Sequence, residues 1–241
     1  MEQGKDAYCN IANRLDYLLI KYNSNGDLVT TPGYSAIGRF GSTTNLDPSD
    51  SIGCGNAVAN IAHELGHAWG LLHEHQRTGL WTSEYGGNGA TNMFTFLCEN
   101  MADYEEIEAQ RQAEGKSMNL PCRYENIALA AGFSAYNLLP DRSGHDMGPA
   151  SEVDWDSIMI YGSIAGSKTV NGQRLNTLVK ASDGSTFGYN QVPSEGDIQA
   201  MYWLYDRVLT KPLKSTPVPF WKSASKWKGI FNHKNQNDNC S

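Results

Sequence analysis

Long apolar runs are missing from this chain of 241 residues. No stretch approaches the roughly 18 apolar residues that a membrane-spanning helix needs, so no membrane partner is expected. The N-terminus, Met1-Glu2-Gln3-Gly4-Lys5-Asp6, has no apolar segment of the kind that drives secretion. Two readings stay open: a cytosolic chain, or one that starts inside a longer precursor. Cysteine is scarce, and none of Cys9, Cys54, Cys98, Cys122 and Cys240 forms a C-x-x-C pair, which leaves thiolate zinc sites and dithiol redox motifs without support. Their odd number leaves one thiol free or paired to another chain, unless its partner lies in a missing segment. Positive charge is in deficit, with 19 Lys and Arg against 26 Asp and Glu and a net charge of -7. Such a surface repels a phosphate backbone, so no nucleic acid is expected as a partner. Internal repeats are absent.

What is present suits a folded domain of about two hundred residues with a tail, since 40% of residues are hydrophobic and 19% charged. Asp16 to Tyr22 is a strand-like apolar run stopped by the turn residues Asn23-Ser24-Asn25-Gly26-Asp27. Gly33 to Gly41 reads as a short exposed strand, suited to a sheet edge. From Asn56 to Trp69, Val58, Ile61, Ala62, Leu65, Ala68 and Trp69 recur at spacings of three and four, which predicts a helix ended by Gly70. Residues 78 to 95 read as loop, Asn100 to Glu114 as a second helix, Tyr124 to Leu139 as a further helical piece, and Pro140 to Pro149 as loop. From Lys211 onward, lysines mix with Pro, Ser and Asn around Trp221 and Trp227, the composition of a flexible basic tail over 211–241.

The chemistry concentrates in His63-Glu64-Leu65-Gly66-His67. Residues four apart share a helix face, so His63 and His67 can offer imidazoles to one ion, while Glu64 stands beside it as a general base. Gly70 lets the chain leave the helix in a left-handed conformation, so that His73 can return as third ligand. Three histidines leave a coordination position for water, the mark of a catalytic rather than a structural zinc site. H-E-x-x-H alone arises by chance; the glycine and third histidine at the required offsets, on a predicted helix, give it weight. His75 and His145 read as surface or structural histidines.

Here the chain resembles the astacin family of metzincin endopeptidases, whose signature continues as in His73-Glu74-His75-Gln76-Arg77. The family's methionine turn, Ser-x-Met-His-Tyr, is similar to Ser157-Ile158-Met159-Ile160-Tyr161, with Ile160 in place of the histidine. Val153 to Asp156, Asn190 to Ile198 with Ser194 as an N-cap, and Leu204-Tyr205 extend the likeness over roughly residues 9 to 206. The resemblance implies an α+β metzincin catalytic domain over 1–210. Its upper half would hold a twisted, mostly parallel sheet with an exposed edge strand, plus the zinc helix. The lower half would be mostly irregular, with the methionine turn and a C-terminal helix.

It further implies one Zn²⁺ per chain on His63, His67 and His73, with Tyr161 as a fifth ligand that leaves the metal to donate to the oxyanion, and Met159 as a structural floor. A protein or peptide substrate would lie along Ser35, Ala36, Ile37 and Gly38 by strand addition. Peptide bonds would be hydrolysed by a zinc-activated water with Glu64 as base. Glu74 would help anchor a mature N-terminus, and secretion is implied. There are departures. Gly33 stands where the family opens its edge strand with a cysteine, and none closes the last helix near Tyr205, so the usual two disulfides cannot both form. Cys9 with Cys54 or Cys240, and Cys98 with Cys122, stay open as pairs. An insertion over about 78–152 lacks the family's Asp-Arg-Asp continuation, and the family's N-terminal strand and helix have no room ahead of Cys9, as in a chain whose start is incomplete. The rival readings are a catalytically inactive zinc-binding domain for protein or glycan recognition, and a structural protein with fortuitous histidines.

Overall fold

The computed structural model describes residues 18–33, 42–142 and 152–206. Strand β1, Leu19–Tyr22, stops where Asn23 turns the chain, its Oδ1 accepting the N–H groups of Asn25 at 3.2 Å and Asp27 at 3.1 Å. Strand β2, Val29–Thr30, follows, and β3, Thr43–Leu46, lies between the two in the order β1-β3-β2. β1 runs parallel to β3 and β2 antiparallel to it. The described sheet thus mixes one pairing of each sense, where a mostly parallel sheet was expected. The reversal is local, since β2 leaves the Asn23 turn running opposite to β1 and β3.

Helix α1, Ala57–Ala68, is capped by Asn56, whose side chain accepts from Val58 N at 2.9 Å and Ala59 N at 3.1 Å. Its far end closes as a Schellman motif. Leu71 N donates to Gly66 O at 2.9 Å and Gly70 N to His67 O at 2.8 Å, with Gly70 at φ +95°. The apolar stripe is only half-buried, with Ile61, Ala62, Leu65 and Ala68 partly covered and Ala62 packed on Leu71, Ile158 and Met159. Val58 is 74% exposed, while the buried residues of α1 are Ala59, Asn60, His63, Glu64, Gly66 and His67. The helix turns its polar face inward because partners wait there for each buried polar group; Asn60, for one, accepts from Cys54 N at 2.7 Å.

From Trp69 to Ser194 the chain is made of short pieces. Strands β4, Phe94–Phe96, and β7, Leu178–Lys180, pair antiparallel, as do β5, Thr169–Val170, and β6, Gln173–Arg174. Helix α2, Tyr104–Ala113, has 10 residues and α3, Glu125–Ala130, only 6. Around them lies the larger apolar core, with Leu80, Trp81, Phe94, Phe133, Leu139 and Leu178 wholly buried and a disulfide joining Cys98 to Cys122. Helix α4, Glu195–Asp206, opens with a reciprocal capping box: Ser194 Oγ accepts from Asp197 N and Asp197 Oδ2 from Ser194 N, both at 2.9 Å. It packs back on α1, and Tyr205 donates its hydroxyl to Trp69 O at 2.8 Å. Among the described residues no helix is long and apolar enough to cross a membrane. Cys54 is buried and bridged to no described cysteine. The expected strand residues Ser35, Ala36, Ile37 and Gly38, His145, Cys9, Cys240 and the basic tail all lie outside the described residues.

Candidate metal centre

α1 carries His63 and His67 one turn apart, and the Schellman motif redirects the chain so that His73 faces them. The ring centroids of His63 and His67 lie 4.8 Å apart, and those of His67 and His73 4.7 Å. The Nδ1 atom of each ring is occupied from behind: His63 by Ile158 O, His67 by Leu71 O and His73 by Gln76 Oε1, each at 2.8 Å. A carbonyl oxygen can only accept, so His63 and His67 carry their proton on Nδ1 and keep a lone pair on Nε2. Burial lowers the pKa of all three rings, that of His67 to about 3, and so holds the neutral form that binds metal.

This donor set fits a zinc ion. One candidate ligand atom from each of the three rings lies within 4.8 Å of the others. His67 Nε2 and His73 Nε2 are 3.2 Å apart, close to the roughly 3.3 Å between two nitrogens tetrahedrally bound at about 2.0–2.1 Å. Lone pairs converging at that distance repel unless a cation stands between them. Imidazoles bonded to carbonyls through the other nitrogen are the usual arrangement behind a metal.

Glu64 sits beside this cluster with 3% exposure. Thr30 donates its hydroxyl to Glu64 Oε2 at 2.6 Å. Burial raises the carboxyl pKa to about 7, the Thr30 bond opposing the shift. Tyr161 stacks its ring 4.3 Å from that of His73 and 6.3 Å from that of His63, and burial, then the nearby Glu64 carboxylate, push its phenol above the usual range. Met159 lies beneath α1. A Cβ on Gly66 would meet its sulfur at 2.8 Å, so a larger residue at 66 would oblige the Met159 side chain to shift.

The neighbouring acids and histidine have structural partners. Glu74 accepts from Arg77 at 3.0 Å and from Asp154 N at 3.1 Å among the described residues, and the N-terminus that the resemblance would bring to it lies outside them. His75 is fully buried; its Nε2 donates to Asn137 O at 2.9 Å and its Nδ1 accepts from Tyr161 N at 3.3 Å. With both nitrogens engaged it cannot ligate. Three residues of the site had not been singled out from sequence: Thr30, Gln76 and Asp197. Asp197 accepts from Ser157 Oγ at 2.6 Å and from Ile158 N at 2.9 Å, and so clamps the segment whose carbonyl holds His63. Its spacing from Ser194 was the one visible signal.

His63, His67 and His73 together fit a zinc site of the metallopeptidase class. Residues 13–80 match the family model described as Astacin (Peptidase family M12A), and over that stretch the chain is astacin-like. The match contains the three histidines and ends ahead of Ser157–Tyr161. No curated protein matches the chain. Among solved structures it is similar to High choriolytic enzyme 1, a hatching enzyme zinc-protease from Oryzias latipes (Medaka fish). That likeness has 21% identity, covers 78% of this chain and 68% of the other, and has a TM-score of 0.46, too slight to argue from.

Proposed function

We propose that the chain is a zinc-dependent endopeptidase, with one ion held by His63, His67 and His73. The observation that carries this reading is two buried imidazoles and a half-buried third, converging through Nε2 beside a buried carboxylate. When bound there, zinc supplies a Lewis acid that acidifies water and polarises a carbonyl. Glu64 accepts the proton of the attacking water and passes it to the departing amine. Thr30 occupies its Oε2, so Oε1 is the oxygen for that exchange. Tyr161, whose ring lies 4.3 Å from that of His73, would help hold the metal and would donate its hydroxyl to the developing oxyanion. Met159 supports α1 from below.

The catalytic domain in this reading is 1–210, with the insertion 78–152 and the tail 211–241 as additions, and a peptide substrate lies extended along Ser35 to Gly38. The Cys98–Cys122 disulfide supports an oxidising, extracellular setting. The test is cleavage of casein or a fluorogenic peptide, with and without a chelator, alongside elemental analysis. Glu64→Ala should retain one zinc per chain while activity falls by about 10²–10⁴-fold. Unchanged cleavage by the pure variant removes Glu64 from the mechanism. Zinc without cleavage by the unaltered chain leaves a recognition domain, and no stoichiometric metal leaves a structural one.

A further inference from the structure

We propose that Gln76 is the positioning residue that sets His73 in its metal-binding tautomer, and that the segment from Tyr136 to Leu139 acts through it. The proposal rests on the zinc reading above. His63 and His67 are keyed by backbone carbonyls, which no substitution removes. His73 is keyed by a side chain whose amide could in principle face either way.

The surroundings decide which way. One end of the Gln76 amide lies 3.1 Å from Tyr136 O and 3.0 Å from Leu139 O. Two carbonyls can be met only by donors, so that end is the NH₂ and the end toward His73 is the oxygen. An oxygen at 2.8 Å accepts, hence the proton of His73 sits on Nδ1 and the lone pair on Nε2, the atom 3.2 Å from His67 Nε2. Turning the amide over would oppose oxygen to two carbonyls and NH₂ to an Nδ1–H, losing three hydrogen bonds together. The main chain of Gln76 is fixed as well, since its carbonyl accepts from Asp141 N at 2.9 Å. The same turn takes the Nε2–H of His75 on Asn137 O, so the segment grips both Gln76 and His75, whose Nδ1 accepts from Tyr161 N. A stretch of the insertion, remote in sequence from the zinc helix, thereby reads out the protonation pattern of the third ligand.

The experiment uses the full chain and Gln76→Met, which keeps the length and removes both ends of the amide. Competition with a chromogenic chelator should show zinc bound about 10–100-fold more weakly. Nitrogen-15 NMR of the metal-free protein should place the His73 proton on Nδ1 alone in the unaltered chain and on both nitrogens in the variant. Circular dichroism checks that the variant folds. Unchanged zinc affinity with the proton still on Nδ1 overturns the proposal. If Gln76→Met does not fold, the unaltered chain decides: a His73 proton on Nε2, or shared, overturns it equally. Neither readout depends on cleavage, so a chain that binds zinc and cuts no peptide would defeat the peptidase reading while leaving this one standing.

Discussion

The zinc helix with its immediate supports and the segment from Leu80 to Leu178 are held together by different means. Beside α1 the described buried apolar cluster is Leu71, Ile158 and Met159, whereas the other segment gathers sixteen buried residues around Trp81 and Phe94. The helix is instead wired by hydrogen bonds: Thr30 to Glu64, Asp197 to Ser157 and Ile158, and carbonyls to His63 and His67. Buried polar groups are costly when unpaired and directional when paired, so one half sets geometry while the other supplies apolar burial.

That division can be broken from either side. Phe94→Ala, in the apolar half, should cost about 3–5 kcal/mol in urea unfolding and leave zinc affinity within about twofold. A parallel loss of affinity would mean the halves are not separable. Replacing Cys98 and Cys122 together by Ala opens a loop with a sequence separation of 24 and should cost about 3 kcal/mol, again with the metal centre unmoved. Asp197→Ala should cost a similar or smaller amount, about 2–3 kcal/mol, yet weaken zinc binding about tenfold, because Ile158 loses its clamp. Equal affinity in that variant would remove Asp197 from the support of His63. The smallest effect sharpens the comparison most. Thr30→Val should lower kcat about tenfold with KM unchanged, since a bond to a charged group is worth about 1.5–3 kcal/mol, and Thr30→Ser should restore it. A change in KM alone would assign Thr30 to substrate binding.

What could be read from the sequence was local. His63, His67 and the Gly70 exit follow from helix geometry over a few residues, Ser194 announced a cap, and Cys98 with Cys122 was one of the pairs left open. What could not be read depends on distant partners. The spacing of Val58, Ile61, Ala62 and Leu65 marks the helix but not which face is most buried, which is the polar one, because Ile158, Leu71 and Thr30 satisfy it from elsewhere in the chain. Gln76 sits inside the signature and still gave no sign of its role, because its partners Tyr136 and Leu139 lie sixty and more positions away. Glu74 takes Arg77 and the backbone of Asp154 on its two oxygens, and the Asp154 partner, eighty positions away, had no signal in the signature.

The contact between Gly66 and Met159 couples two positions. A side chain at 66 obliges the Met159 sulfur to move, by a turn of its flexible end or by a shorter residue in its place. In a diversified library of this chain, survivors altered at 66 would be expected to be enriched in a second change at 159, a linkage visible by counting.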